Sequence, residues 1–350
     1  MTPTTHRITG WIRRATLPLL ILALLAASAF FQQRLHEAQR RAAPTATVQP
    51  ASPRVTFITM VLGGFRGLVA DALWIRAARM QQEGRYFEMV QLANWITQLE
   101  PQFTEVWAFS AWNLAYNISI YFNRPEDRWR WVQSGIALLR DEGIAYNPHE
   151  PELYYELAWM FAHKIGSFTD NAHVYYKQQW ADAMRTALGG PRPDYLHPPA
   201  PERLEPYKLN PELMQALEEQ YGPLDWLRPQ TQAIYWAFQG LPFADPFMRT
   251  RLQRLIYQSM AVMTLGETTP DADSADWYPA NPTLLPYTLR AYEQAIQNDP
   301  DNPSLRQAYV NFLEMALEIY RTTGDQNTVQ QLFQSLESMR TVNAPVPGSI

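Results

Sequence analysis

The chain contains no cysteine, so disulfides, thiolate metal centres and thiol nucleophiles are excluded together. Glycine is scarce, 15 residues against 28 prolines, which rules out a collagen-like chain. Charged residues make up 18%, below the usual quarter. The net charge of -5 leaves no basic footprint for nucleic acid. Disorder is excluded as well, because 47% of the residues are hydrophobic and can bury a core. No apolar run reaches the ~20 residues of a full helical membrane span. The nearest is the 15-residue stretch 17–31, LPLLILALLAASAFF, broken only by Pro18 and Ser28.

That stretch has basic flanks, Arg7, Arg13 and Arg14 before it and Arg34, Arg40 and Arg41 after it. The pattern predicts an N-terminal membrane anchor over residues 1–41, a single transmembrane helix that is not cleaved. A cleaved secretory signal is the alternative, since Ala27-Ser28-Ala29 has the A-x-A form of a cleavage site. The equal Arg counts orient the segment weakly. Residues 42–54 are small, polar and proline-containing and read as a tether. A second apolar run, 57–65, is too short to span and is expected to open the first buried helix. The implied setting is an inner membrane, single-pass, with the main domain periplasmic or otherwise extracytoplasmic.

From Leu68 onward the hydrophobic period is helical. ADALWIRAARMQQ ends at Glu83-Gly84, and FEMVQLANWITQLE is closed by Pro101. A glycine turn between two such segments predicts an αα-hairpin. Gly84 and Tyr86 stand at the inter-helix turn, with Met89, Ala93 and Pro101 at second-helix spacing. Trp107, Ser110, Ala111 and Leu114 then fit a first-helix pattern, and Tyr154, Leu157, Ala158 and Phe161 repeat it. In these residues the chain resembles the tetratricopeptide repeat superfamily, whose period is about 34 residues. The resemblance covers roughly 70–185 and 284–340, and it implies an all-α superhelix of helix pairs with a concave groove. Met89 departs from it, being bulky where a small residue is usual. Pro101 and Pro148 stand 47 residues apart, more than one period, and residues 121–128 are expected to absorb the excess as a long loop.

Residues 55–187 therefore read as repeats, and 188–282 as a proline-rich insertion with helices. Its 188–211 part is expected to be loop or polyproline backbone. Helices are expected at 212–221, after Pro229 and at 245–265. Thr288, Tyr292 and Pro300 restore the repeat spacing over 283–341, which carries long helices at 305–322 and 328–339, with 342–350 as a tail.

Phosphate loops, G-x-S-x-G and H-E-x-x-H are absent, so no catalytic motif or cofactor is expected. His163, Asp170 and His173 are the best metal-like spacing, although helix-end capping is the commoner role for a residue placed like His163. Glu156, Asp170, Asp225 and Asp245 suit paired-carboxylate hydrolysis by residue type alone. Asp225 also suits a cap or a partner for Arg228. The ring pattern is more specific. Trp74, Trp112, Tyr116, Tyr155, Trp159 and His163 fall on the helix face turned toward the groove, with Asn113 and Asn117 beside them. Such rings offer a large contact area for a protein or peptide partner at little rotamer cost, or an internal packing face. The expected function is a membrane-anchored scaffold for protein–protein interaction or assembly of an envelope complex. A structural subunit of a fibre or envelope assembly and a hydrolase on a helical scaffold are the alternatives.

Overall fold

The computed structural model describes residue 34 and residues 66–189, 195–197, 199–266, 279–323 and 325–342. The predicted anchor stretch 17–31, the tether 42–54 and the 57–65 run lie outside the described residues. Among the described residues no helix is long and apolar enough to cross a membrane. The described chain is helical, with no strand. It divides into two compact units, Met1–Val106 and Trp107–Ile350.

The first unit contains the expected hairpin, α1 (Arg66–Gln82) and α2 (Tyr86–Leu99). Gly84 takes φ 73°, a left-handed conformation that costs glycine nothing. Arg85 N–H then bonds back to the Met80 carbonyl at 2.9 Å, closing the helix in a Schellman turn. Ala70, Ala77 and Met80 face Met89, Ala93 and Ile96 across the pair, all buried. Their spacing of three, four and seven is the helical apolar stripe.

Helix α3 (Thr104–Trp112) carries the boundary between the units and runs on through Asn113–Ile118 as a π-helical segment and Ser119–Tyr121 as a 3-10 turn. Helix α4 (Pro125–Ala137) has its own π segment, Leu138–Gly143. So has α5 (Pro151–Trp159), at Met160–Ile165. In each, an N–H reaches the carbonyl five residues back: Ser119 to Leu114, Ile144 to Leu139 and Gly166 to Phe161. π turns are rare and cluster at functional sites. Side chains help to satisfy the widened turns. Asn113 Nδ2 donates to the Phe109 carbonyl at 2.7 Å, and Ser119 Oγ to that of Ala115 at 2.6 Å.

The expected long loop at 121–128 is shorter in the structure, because Pro125 starts α4. Proline suits the first helical position, where its missing N–H would have no partner. Glu126 and Asp127 in the first turn add favourable charge at the N-terminal end. The residues expected to pack the pairs do so: Trp107, Ser110, Ala111 and Leu114, and Tyr154, Leu157, Ala158 and Phe161, are all buried. α3 and α4 approach so closely at Gly135 that an added Cβ would lie 2.7 Å from the Ala111 carbonyl oxygen.

Helices α6 (His173–Leu188), α7 (Ala200–Leu204) and α8 (Pro211–Tyr221) follow. The 188–211 stretch, expected to be without helix, holds α7 and a 3-10 turn at Glu205–Tyr207. Pro201 and Pro206 fall in the first turns of these short helices, where proline is tolerated. Helix α9 (Pro229–Gly240) is almost wholly buried between α5 and α10 (Pro246–Leu265). The segment assigned to an insertion thus supplies the centre of the core. Helices α11 (Leu285–Asn298), α12 (Pro303–Thr323) and α13 (Gln326–Val342) pack onward from α10, each against the next. Thr288 and Tyr292 are buried in α11.

Candidate functional site

Five of the six expected groove residues form one continuous row in the second unit. Trp112 stacks on Tyr116 with ring centroids 5.3 Å apart. Tyr116 meets His163 at 5.9 Å. His163 lies nearly parallel to Trp159 at 4.7 Å, and Trp159 stacks on Tyr155 at 6.2 Å. The guanidinium of Arg251, from α10, caps the row 3.8 Å above the Tyr155 ring and is paired with Glu152 at 3.2 Å. Within α5 and its π segment the rings follow from four-residue spacing, which stacks side chains along one face. Each contact contributes about 0.5–1.5 kcal/mol beyond its buried area. Trp112, at one end, is 37% exposed. Trp74, the sixth residue, belongs to the first unit, where its ring packs against Phe103 at 5.6 Å.

The row is not a simple wall of hydrocarbon. Tyr116 Oη lies 3.3 Å from His163 Nδ1. Burial, and then the charge of Lys164, lower the His163 pKa, so the uncharged imidazole is favoured, and its tautomer sets which of the two groups donates. Burial also raises the Tyr116 pKa, reinforced by the negative charge of Glu156, which keeps that hydroxyl protonated. Glu156 is itself pushed up to about 7, chiefly by burial and then by the neighbouring Glu152.

Trp159 and His163 also line a cavity of about 570 Å³ in the second unit. Phe168, Leu255, Phe312 and Met315 give it an apolar lining, and Gln258, Ser259 and Asn311 add amide and hydroxyl groups. Phe168 and Met315 are exposed. This mixture of a large apolar volume with a few polar groups is what binding clefts present.

The metal-like triplet resolves differently. Asp170 is buried and occupied by cations, with Lys164 Nζ at 2.5 Å and an Arg128 terminal nitrogen at 2.9 Å. The Ala172 N–H adds a bond at 2.9 Å, and the Tyr176 hydroxyl one at 3.5 Å. Burial of Asp170 opposes its charge, but the hydrogen bonds from Lys164 and Ala172 and the two cations win, and its pKa is lowered. His163 is turned into the ring row. Among the described residues no group of three or more His, Asp or Glu could hold a metal ion.

Two of the other carboxylates are structural. Asp225 accepts from the Leu227 N–H at 3.1 Å and pairs with Arg228 at 3.2 Å. Asp245 caps α10 through the Met248 N–H at 2.7 Å. Sequence reasoning missed Arg251, Phe168, Phe312, Met315, Arg128 and Lys164, which reach these places from separate helices and loops. Only Lys164, close to Phe161, Ala162 and Ile165 in FAHKIG, carried a local hint of burial.

The second unit is thus an all-helical body with a ring-lined cavity and a buried ion cluster beneath one wall. No protein-family model matches the sequence, and no curated protein matches it.

Proposed function

We propose that the chain is a helical-repeat scaffold, tethered to a membrane through its N-terminal apolar segment, that captures an apolar segment of a protein partner. The observation that carries this reading is the unbroken row from Trp112 to Arg251, running beside a 570 Å³ cavity that shares Trp159 and His163. Rings held by their neighbours lose little rotamer freedom on binding, so contact with them retains more of its free energy. The amide and hydroxyl groups of Gln258, Ser259 and Asn311 suit the backbone N–H and C=O that a polypeptide brings with its side chains.

A photo-crosslinking residue placed at Met315 in the whole chain, in native membranes, tests the reading. It should yield one polypeptide segment reproducibly, and the Trp112→Ala/Tyr155→Ala variant should lose that crosslink while keeping its helical circular dichroism. Crosslinks unchanged by the double substitution would overturn it. The hydrolase reading draws on Glu156, whose high pKa suits a general acid. Among the other three carboxylates of that reading, none is uncommitted: Asp170, Asp225 and Asp245 are held by the contacts above.

A further inference from the structure

The ion cluster at Asp170 has more positive than negative charge. Lys164 and Arg128 are two cations around one carboxylate, and the side chains of Lys164, Asp170 and Arg128 are 3%, 4% and 14% exposed. The acceptors of Asp170 are used up: it receives Lys164, Arg128, the Ala172 N–H and the Tyr176 hydroxyl. A buried cation without a counter-charge is costly, and one positive charge is left over. Arg128 also keeps its Nε–H buried with no acceptor among the described residues.

A cavity of about 260 Å³ opens at this point. Arg128, Lys164 and Asp170 line it with Tyr116, Thr169 and Asn171, and Asp170 is the sole carboxylate among its described lining residues. Besides the two cations, the wall offers hydroxyl groups and a side-chain amide. The volume equals that of roughly eight or nine waters, enough for a small organic acid and too little for a folded segment.

We infer that this cavity is a binding site for a small free monocarboxylate. One negative charge completes the cluster; a phosphate dianion would leave it negative again. A carboxylate also matches the planar edge of a guanidinium, accepting two parallel N–H bonds. Asp170 then acts as the fixed anion that holds both cations in place for the incoming one. The site is separate from the ring-lined groove reading and stands without it, although His163 belongs to both walls.

The test uses the whole chain and sodium acetate as probe, with ionic strength held constant by sodium chloride. Acetate should raise Tm by roughly 5 °C at a hundredfold excess over Kd, and go on raising it with the logarithm of its concentration. It should also move the Arg128 Nε–H resonance in a nitrogen-15 spectrum, along a saturating curve that gives the same Kd. Arg128→Gln, which can still donate to Asp170, should lose the response. Should that variant not fold, the resonance titration of the unsubstituted protein decides. An Arg128 resonance that stays still under saturating acetate overturns the proposal. So does a phosphate response stronger than that of acetate. A blocked glutamate (acetylated and amidated) that binds more tightly than acetate would assign the site to a polypeptide side chain and overturn the free acid.

Discussion

Replacing Asp170 by Asn removes the charge that holds Lys164 and Arg128 together and leaves the shape almost unchanged. The two contacts are at 2.5 and 2.9 Å. With an effective dielectric constant of about 20, Coulomb's law gives each about 6 kcal/mol of gross attraction. Desolvation of three buried ionic groups consumes most of that, and breaking such a cluster from one side typically costs about 3–5 kcal/mol. Against a total stability of about 5–15 kcal/mol, the loss is large. Urea unfolding followed by circular dichroism should show a midpoint lower by at least about 1 M at unchanged slope.

The pH dependence gives an independent check. The folded pKa of Asp170 lies below its ordinary value of 3.8. Its contribution is therefore complete above about pH 4 and disappears as pH falls through the lower folded value. The stability gap between the native protein and Asp170→Asn should be constant at neutral pH and close in acid. A midpoint shift under ~0.3 M, or a gap that does not narrow at all as the pH falls below 3.8, would refute the reasoning.

Glu156→Gln should act in the opposite direction. A carboxyl group raised from 4.5 to about 7 on folding loses stability as pH rises from the unfolded to the folded value. The substitution should stabilise the protein by up to about 3 kcal/mol at pH 8 and flatten its stability between pH 4.5 and 7, as read by thermal unfolding across that range. Gly135→Ala places a methyl group 2.7 Å from the Ala111 carbonyl oxygen. Despite a helix-propensity gain of about 1 kcal/mol, overpacking should leave a net loss of about 1–2 kcal/mol by urea titration; a more stable variant would mean that α3 and α4 can move apart.

Much of the helical layout is legible in the sequence because its signals are local. Gly84, Pro101 and Pro229 mark helix boundaries through backbone chemistry alone, whereas Pro125 read as part of a loop and starts a helix. Four-residue spacing puts Trp112 with Tyr116, and Tyr155 with Trp159 and His163, before any tertiary contact is known. The central place of α9 also had a local signal: Pro229–Gly240 contains no charged residue, and a helix without a polar charged face belongs inside. The proline-rich surroundings concealed it, since proline reads as a loop marker and also as a helix starter. The ion cluster was not legible. Lys164 and Asp170 are close in sequence, but Arg128 arrives from α4, and Asp170 between His163 and His173 has a spacing that also suits a metal.

The three consecutive π segments have a further consequence. Each amounts to one extra residue accommodated in a helix, so deleting a single residue there restores regular α geometry without breaking the chain. The helix beyond the deletion keeps its facing, because the wide turn had already absorbed the extra residue, while residues inside the segment change theirs. A deletion within Asn113–Ile118 or Met160–Ile165 would carry Tyr116 or His163 out of line with its neighbours. The alignment of the ring row is therefore set partly by chain length, and a change of one codon can reset it while every remaining side chain stays the same.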